Sequence, residues 1–294
     1  MRIPRFTQSS MFAQLQRHSA RLGNEIRQVE MQAITGLKYT RPSDGPVETA
    51  AALRLQGVIS DQEVYEHNTG QGMSLLSTAD QTLSQVADVF KRARELTLQA
   101  ASEQYNGNDR SYISAEVTQL RERLLDLSNT RLGERYLFSG TDYETASFDA
   151  TGTYGGSTDE YQTQIADNQW ATLGFDGSQV FQGAVDAFGV LDNLVTALDN
   201  NDPTTVQTLI ADIDDALQQA ISARETVGHN QRHVEDAENT AGNLKVMFQT
   251  ELGDLINSDP TETYTRLSEL RLNYTAAMQV GATASQGTLF SLLR

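Results

Sequence analysis

The chain has 294 residues, 38% of them apolar, with no cysteine and a formal net charge of −17. That length suffices for about two domains with cores of their own, while the missing cysteines exclude disulfides, cysteine nucleophiles and thiolate metal sites. No run approaches the roughly 18 consecutive apolar residues of a membrane-spanning helix, so a membrane is not an expected partner.

From Phe12 to Gly36, the residues Phe12, Leu15, Ser19, Leu22, Ile26, Val29 and Ala33 recur at alternating steps of three and four, the spacing of a helix with one narrow seam. Upstream, Arg2 and Arg5 are followed by no apolar signal core, because Thr7, Gln8, Ser9, Ser10 and Gln14 interrupt the run. Arg17, Arg21 and Arg27 are spread around the helix with Glu25 and Glu30 between them, which argues against nucleic acid. Thr35 to Pro46 holds two prolines and two glycines and must be a loop.

Helical periodicity resumes at Ala51, Leu55, Val58 and Ile59. A separate helix of about 25 residues is then expected through Leu76, Ala79, Leu83, Val86, Phe90, Ala93, Thr97 and Ala100. Gly107-Asn108-Asp109 ends it, with Asp109 as the predicted N-cap of a helix carrying Ile113, Val117, Leu120, Leu124 and Leu127. A short connection between two long helices implies that they lie antiparallel.

The helical period disappears between Thr141 and Gly183. There Tyr154-Gly155-Gly156, Tyr161, Ile165, Trp170, Leu173, Phe175, Val180 and Phe181 stand among Gly, Asp, Asn and Ser, which predicts short strands and turns. This stretch is too small for a large core, and its seven acids without a base imply an outward face. Across the wider span 136–223 there are fourteen Asp or Glu and no Lys or Arg, whereas residues 1–41 hold seven Lys or Arg against two Glu.

Helix returns with Leu191, Leu194 and Leu198. Asp202-Pro203 reads as an N-cap with proline at the first helical position, and Val206, Leu209, Ile210, Ile213, Leu217, Ala220 and Ile221 follow on one face. A further helix is expected around Leu244, Phe248, Leu252 and Leu255. Asp259-Pro260-Thr261-Glu262 then starts a last helix whose residues Leu267, Leu270, Tyr274, Ala277, Gly281 and Ala284 repeat the N-terminal seam. Its end, Leu289, Phe290, Leu292 and Leu293, is an apolar tip.

The two seams look complementary and neither holds a helix well alone: Gly23, Gly281 and Gly287 each cost roughly 1 kcal/mol relative to alanine. The expected fold is mainly α, an elongated antiparallel helical bundle or coiled coil made by the two halves of the chain with a small β-rich insertion. Three regions are predicted: residues 1–36 with 262–294, loose in the monomer; residues 37–136 with 184–261, a helical rod; and residues 137–183, the surface-exposed insertion. Phe12, Leu15, Leu22, Ile26, Val29, Leu267, Leu270, Tyr274, Ala277 and Leu292 are the candidate assembly seam.

Chemistry has little to build on. His229 and His233 have metal-ligand spacing, but His-Asn-Gln-Arg-His lacks a third ligand and a base, and Arg232 opposes a cation. Asp214-Asp215 and Glu235-Asp236 diverge by about 100° on a helix, and Asp159-Glu160 lies in loop or strand edge. No nucleophile elbow, phosphate loop or dinucleotide fingerprint occurs. No catalytic, cofactor-binding or metal-binding residue is therefore expected.

The runs Arg92-Ala93-Arg94-Glu95-Leu96-Thr97-Leu98-Gln99-Ala100-Ala101, Asp109-Arg110, Gln119-Leu120-Arg121 and Arg135-Tyr136-Leu137-Phe138-Ser139-Gly140 resemble the flagellin superfamily. The last of these, with Pro42-Ser43-Asp44-Gly45-Pro46, resembles its hook-filament junction branch. The resemblance implies a non-enzymatic structural protein of the bacterial flagellum, exported through the flagellar type III apparatus to an extracellular place between hook and filament. It implies as partners the first hook-filament junction protein (hook-associated protein 1), flagellin, further copies in a ring and an export chaperone on the C-terminal helix. Flagellin itself is the near alternative, because Phe290-Ser291-Leu292-Leu293-Arg294 resembles flagellin endings. A coiled-coil adhesin with the insertion as ligand head is the alternative from another class, and a surface-polymer hydrolase the third.

Overall fold

The computed structural model describes residues 8–292 apart from Glu103, with side chains from residue 13 to residue 283. It is mainly α-helical, as the periodicity predicts, and the chain forms two compact units. The terminal unit comprises Met1–Ser60 with Lys245–Arg294 and the central unit Asp61–Leu244. These boundaries fall inside two helices.

In chain order the elements are α1 (Gln8–Thr35), a 3-10 turn (Pro42–Asp44), α2 (Pro46–Ala100), α3 (Gly107–Ser128), β1 (Arg131–Leu132), β2 (Arg135–Tyr136), β3 (Gln162–Ala166), β4 (Gln169–Thr172), α4 (Gly177–Gln182), α5 (Ala187–Asp199), α6 (Pro203–Ile256) and α7 (Pro260–Leu292). The breaks expected within residues 60–75 and 222–243 are absent: α2 is one helix of 55 residues and α6 one of 54. The polar stretch of α2 that hides its periodicity is where the insertion docks. Asn68 Nδ2 donates to the Gln164 carbonyl at 2.8 Å, and a Cβ on Gly72 would lie 2.8 Å from Leu173 Cδ2. Glycine there admits the neighbouring side chain, which offsets its helical cost.

Asn106, rather than Asp109, is the N-cap of α3. Its Oδ1 accepts from the Asn108 and Asp109 backbone N–H groups at 2.9 and 3.1 Å, and Asp109 Oδ2 accepts from the Asn106 N–H at 3.1 Å, closing a reciprocal capping box. The two ion and amide contacts Arg92–Glu116 and Arg123–Gln85 pair rising with falling residue numbers, so α2 and α3 run antiparallel. The proline-led caps occur as expected. Asp202 Oδ1 accepts from Thr204 and Thr205 N–H groups at 3.1 and 3.2 Å, and Asp259 Oδ1 from Thr261 at 2.7 Å.

The strands are two antiparallel hairpins. β1 and β2 turn at Gly133 (φ +63°); β3 and β4 pair Gln162 with Thr172 through Ala166 with Gln169, around a bulge, and turn at Asn168 (φ +55°). Val180 and Phe181 belong to the short helix α4, not to a strand, because Asp176 Oδ1 caps it by accepting from Ser178 N–H and Oγ–H at 2.8 and 2.6 Å. The insertion shares its core with the helices around it. Phe138 and Phe148 each pack on Phe181 with ring centroids 5.2 and 5.4 Å away, and Phe188 of α5 joins through Phe148 at 5.2 Å. This aromatic knot continues into the helical core of the central unit through Leu83, Phe90, Leu124, Leu191 and Leu194.

Candidate assembly interface

In the terminal unit α1 and α7 lie antiparallel, with Arg271 on Glu30 at 2.7 Å and Ser19 Oγ donating to Met278 Sδ at 3.5 Å. The seam residues Leu22, Val29 and Leu267 are buried between them; Leu15, Ile26, Leu270, Tyr274 and Ala277 are half-buried. Phe12 and Leu292 lie outside the residues whose side chains are described. A Cβ on Gly281 would come within 2.6 Å of Leu15 Cδ2, so this glycine is what lets the two helices approach so closely. Beside that contact an open groove is lined by Ser19, Gly23, Tyr274, Ala277 and Met278.

The loops flanking the pair are tied to each other. Lys38 N–H donates to the Ile256 carbonyl at 2.7 Å and Ser258 N–H to the Gly36 carbonyl at 2.8 Å, making a bridge between Leu37 and Asn257, while Lys38 Nζ reaches the Asp254 carbonyl at 2.9 Å. Pro42-Ser43-Asp44-Gly45-Pro46 supplies the turn into α2. Asp44 Oδ2 accepts from Arg41 N–H at 3.1 Å, and Gly45 sits so near Tyr39 that a Cβ would lie 2.6 Å from its ring. No local periodicity announces this loop-to-loop stitching; it depends on residues more than 200 positions apart.

What distinguishes the terminal unit is where its apolar groups lie. Among the described residues only Leu22, Val29, Ala52, Ile59 and Leu267 form its buried apolar set, while eleven of the sixteen large exposed hydrophobic side chains belong to it. Ile34, Val47 and Leu272 are each more than 70% exposed. Exposed apolar surface on this scale, on a unit with so little interior, is what an interface awaiting a partner looks like.

The central unit has the opposite character, and its cationic groups are committed internally. Arg135 lies between the rings of Tyr143 and Tyr161 at 4.2 and 4.5 Å, Leu137 and Phe138 are buried, and Ser139 Oγ bonds Ser147 Oγ and the Thr145 carbonyl at 2.8 Å each. Gly140 adopts φ +61° against the Ser157 and Asp159 carbonyls, leaving no room for a side chain. Tyr154 donates to the Ser157 carbonyl at 2.7 Å; burial, then the nearby Asp176 carboxylate, push its phenol up to about 12. Arg110 is buried, its guanidinium donating to the Ala100 and Ser102 carbonyls and to Asn201 Oδ1.

Each of the ten Lys and Arg of the central unit is engaged within the chain. Lys91, Arg92, Arg94, Arg121 and Arg224 form ion pairs, Arg110 binds carbonyls, Arg131 and Arg135 lie over tyrosine rings, Arg123 reaches Gln85 and Arg232 reaches His229. His229 and His233 are both exposed on α6, and among the described residues no group of three His, Cys, Asp or Glu could hold a metal ion.

Residues 7–142 match the model of the bacterial flagellin N-terminal helical region. Flagellar hook-associated protein 3 of Escherichia coli K12 is 24% identical over 282 residues, covering 87% of this chain and 89% of that protein. The flagellar filament 33 kDa core protein of Treponema phagedenis is 25% identical, covering 97% of this chain and 98% of its own length. The crystal structure of the flagellar junction protein of Legionella pneumophila superposes with a TM-score of 0.59 at 16% identity, covering 70% of this chain and 99% of that one. That structural likeness establishes the fold.

Proposed function

We propose that this chain, whose residues 7–142 match the flagellin N-terminal helical region and which is similar to flagellar hook-associated protein 3, is a structural subunit of the bacterial flagellum that forms the hook-filament junction. The observation that carries the reading is the terminal unit, with five buried apolar residues and eleven large exposed ones among those described. Such a unit gains most of its burial from other chains.

In this reading the mechanism is coupled folding and assembly. Residues 1–36 and 262–294 leave the cell loosely folded through the flagellar type III channel, with a chaperone covering the C-terminal helix. Outside, α1 and α7 close on the seam of Phe12, Leu15, Leu22, Ile26, Val29, Leu267, Leu270, Tyr274, Ala277 and Leu292, and their outer faces pack on neighbouring copies in a ring. The insertion of residues 137–183 faces water. Hook-associated protein 1 on one side and flagellin on the other complete the junction, and no step requires a cofactor or catalytic group.

Flagellin remains the second reading, favoured by the match along the filament core protein of Treponema phagedenis. Immunogold labelling of intact flagella with antibody against residues 141–183 separates the two. Gold in a narrow band at the hook-filament boundary is expected. Gold along the whole filament means flagellin, and flagella without gold overturn both.

A further inference from the structure

The central unit contains a cleft that assembly through the terminal unit leaves unused. It opens beside α4 and α6, has a volume of about 590 Å³, and lies wholly within Asp61–Leu244. Leu83, Phe175 and Val227 are buried and make its floor, while Glu160, Gln179, Asp215 and Gln218 are exposed and make its rim. A concave site of this size, apolar below with a few polar groups at the edge, has the form of a small-ligand pocket.

The fold fixes its walls. Gln219 Oε1 accepts from the Val185 N–H at 3.0 Å and its Nε2 donates to the Val180 and Val185 carbonyls at 3.0 and 3.2 Å, which ties the segment after α4 to α6. Asp176, also in the lining, is buried and committed to capping α4. Among the described residues that line the cleft, none is Lys, Arg or His. Arg224, on the same stretch of α6, donates from Nε and Nη2 to the two carboxylate oxygens of Asp80 at 2.7 and 3.3 Å. Glu160 and Asp215 enter no ion pair among the described residues.

The occupant's chemistry follows from this lining. An anion is repelled, and a neutral apolar molecule strips water from the rim carboxylates without replacing it. A cationic head on an aliphatic stem meets both demands: its methylenes cover the floor while its N–H groups stay at the rim beside Glu160 and Asp215. We propose that the cleft binds an alkylammonium or alkylguanidinium group. Exposed acids are common on this unit, and these two differ because they border a floor that such a stem can cover. Two sources carry the chemistry: a free aliphatic polyamine, and a lysine or arginine side chain of a neighbouring chain. The site does not depend on which flagellar role the chain fills.

Isothermal titration calorimetry of the full-length protein at pH 7 and fixed ionic strength tests the site, with 1,5-diaminopentane and the acetylated methylamides of lysine and arginine as probes. Saturable binding of one probe molecule per chain is expected. Ser222→Trp places a bulky side chain in the lining without changing the charge and should abolish it, with the circular dichroism spectrum unchanged. Glu160→Gln with Asp215→Asn should weaken binding roughly tenfold, since an exposed ion pair contributes up to about fivefold. Asp199→Asn with Asp212→Asn makes the same charge change at exposed positions outside the cleft and should leave binding as it was. Tighter binding of the diamine assigns the site to a free polyamine; tighter binding of either blocked amino acid assigns it to a neighbour's side chain. Binding that survives Ser222→Trp, or that falls equally in both double variants, is diffuse attraction to an acidic surface and overturns the site. So does a failure of all three probes to saturate, and hexanoate binding as tightly as the diamine overturns the assignment of charge.

Discussion

The central unit puts its apolar residues inside and its charges outside, whereas the terminal unit holds much of its apolar surface open. Phe138, Phe148, Phe181 and Phe188 are among the side chains fully or almost fully buried in the first, while Ile34, Val47 and Leu272 are largely exposed in the second. The difference teaches where stability comes from in each. The central unit has a core that α2, α3, α5, α6 and the insertion complete among themselves. Among the described residues the terminal unit buries only Leu22, Val29 and Leu267 of its seam with Ala52 and Ile59, and leaves eleven large apolar side chains exposed.

The largest expected effect comes from breaking the complete core. Phe138→Ala removes a fully buried ring from the centre of the aromatic knot and should destabilise the central unit by about 3–5 kcal/mol. Differential scanning calorimetry should register this as a lowered main transition. Next comes the seam: Ile26 is half-buried, so Ile26→Asp should cost about 1–3 kcal/mol in the α1–α7 pair. The calorimetric transition of the central unit should stay in place while assembly and motility are lost. Normal filaments in that strain would remove the seam from the mechanism.

Smaller changes sharpen the same contrast. Asn106→Ala deletes a cap inside the central unit and should lower its stability by about 1 kcal/mol in urea unfolding, with assembly of the folded protein retained. Last is a pH effect. The Tyr154 phenol ionises at about 12 in the folded chain against 10.0 for the free group. The folded state therefore favours the protonated form, so the contribution is fully present below pH 10 and is lost as pH rises through about 12. Urea midpoints of wild-type protein should fall faster across that window than those of Tyr154→Phe; parallel curves would mean that the phenol is not held this way.

The divergence of the carboxylate doublets follows from spacing alone, because adjacent residues such as Asp214-Asp215 and Glu235-Asp236 point about 100° apart on a helix. The caps at Asp202 and Asp259 were legible for a similar reason: each pairs an acceptor side chain with a proline whose missing N–H needs no partner. Asn106 was harder to see, since Asn-Gly-Asn-Asp offers several capping residues in a row and only the backbone path selects one. The short helix α4 depends on Asp176, whose side chain reaches Ser178 inside a segment otherwise rich in turn residues.

Periodicity, which is a property of neighbouring residues on one helix, was enough to reveal a mainly helical chain interrupted by a stretch of short strands. The partition of charge was likewise written in composition. Tertiary structure alone decided that α2 and α6 run unbroken: their polar stretches receive the insertion, α2 through Gly72 and Asn68 and α6 through Asn230, whose Nδ2 donates to the Thr172 carbonyl. It also decided that Leu37 bridges Asn257 and that Arg110 meets the Asn201 side chain. Each of these depends on groups far apart in the chain, and pairing over that distance is set by the packed fold and leaves no local pattern to read.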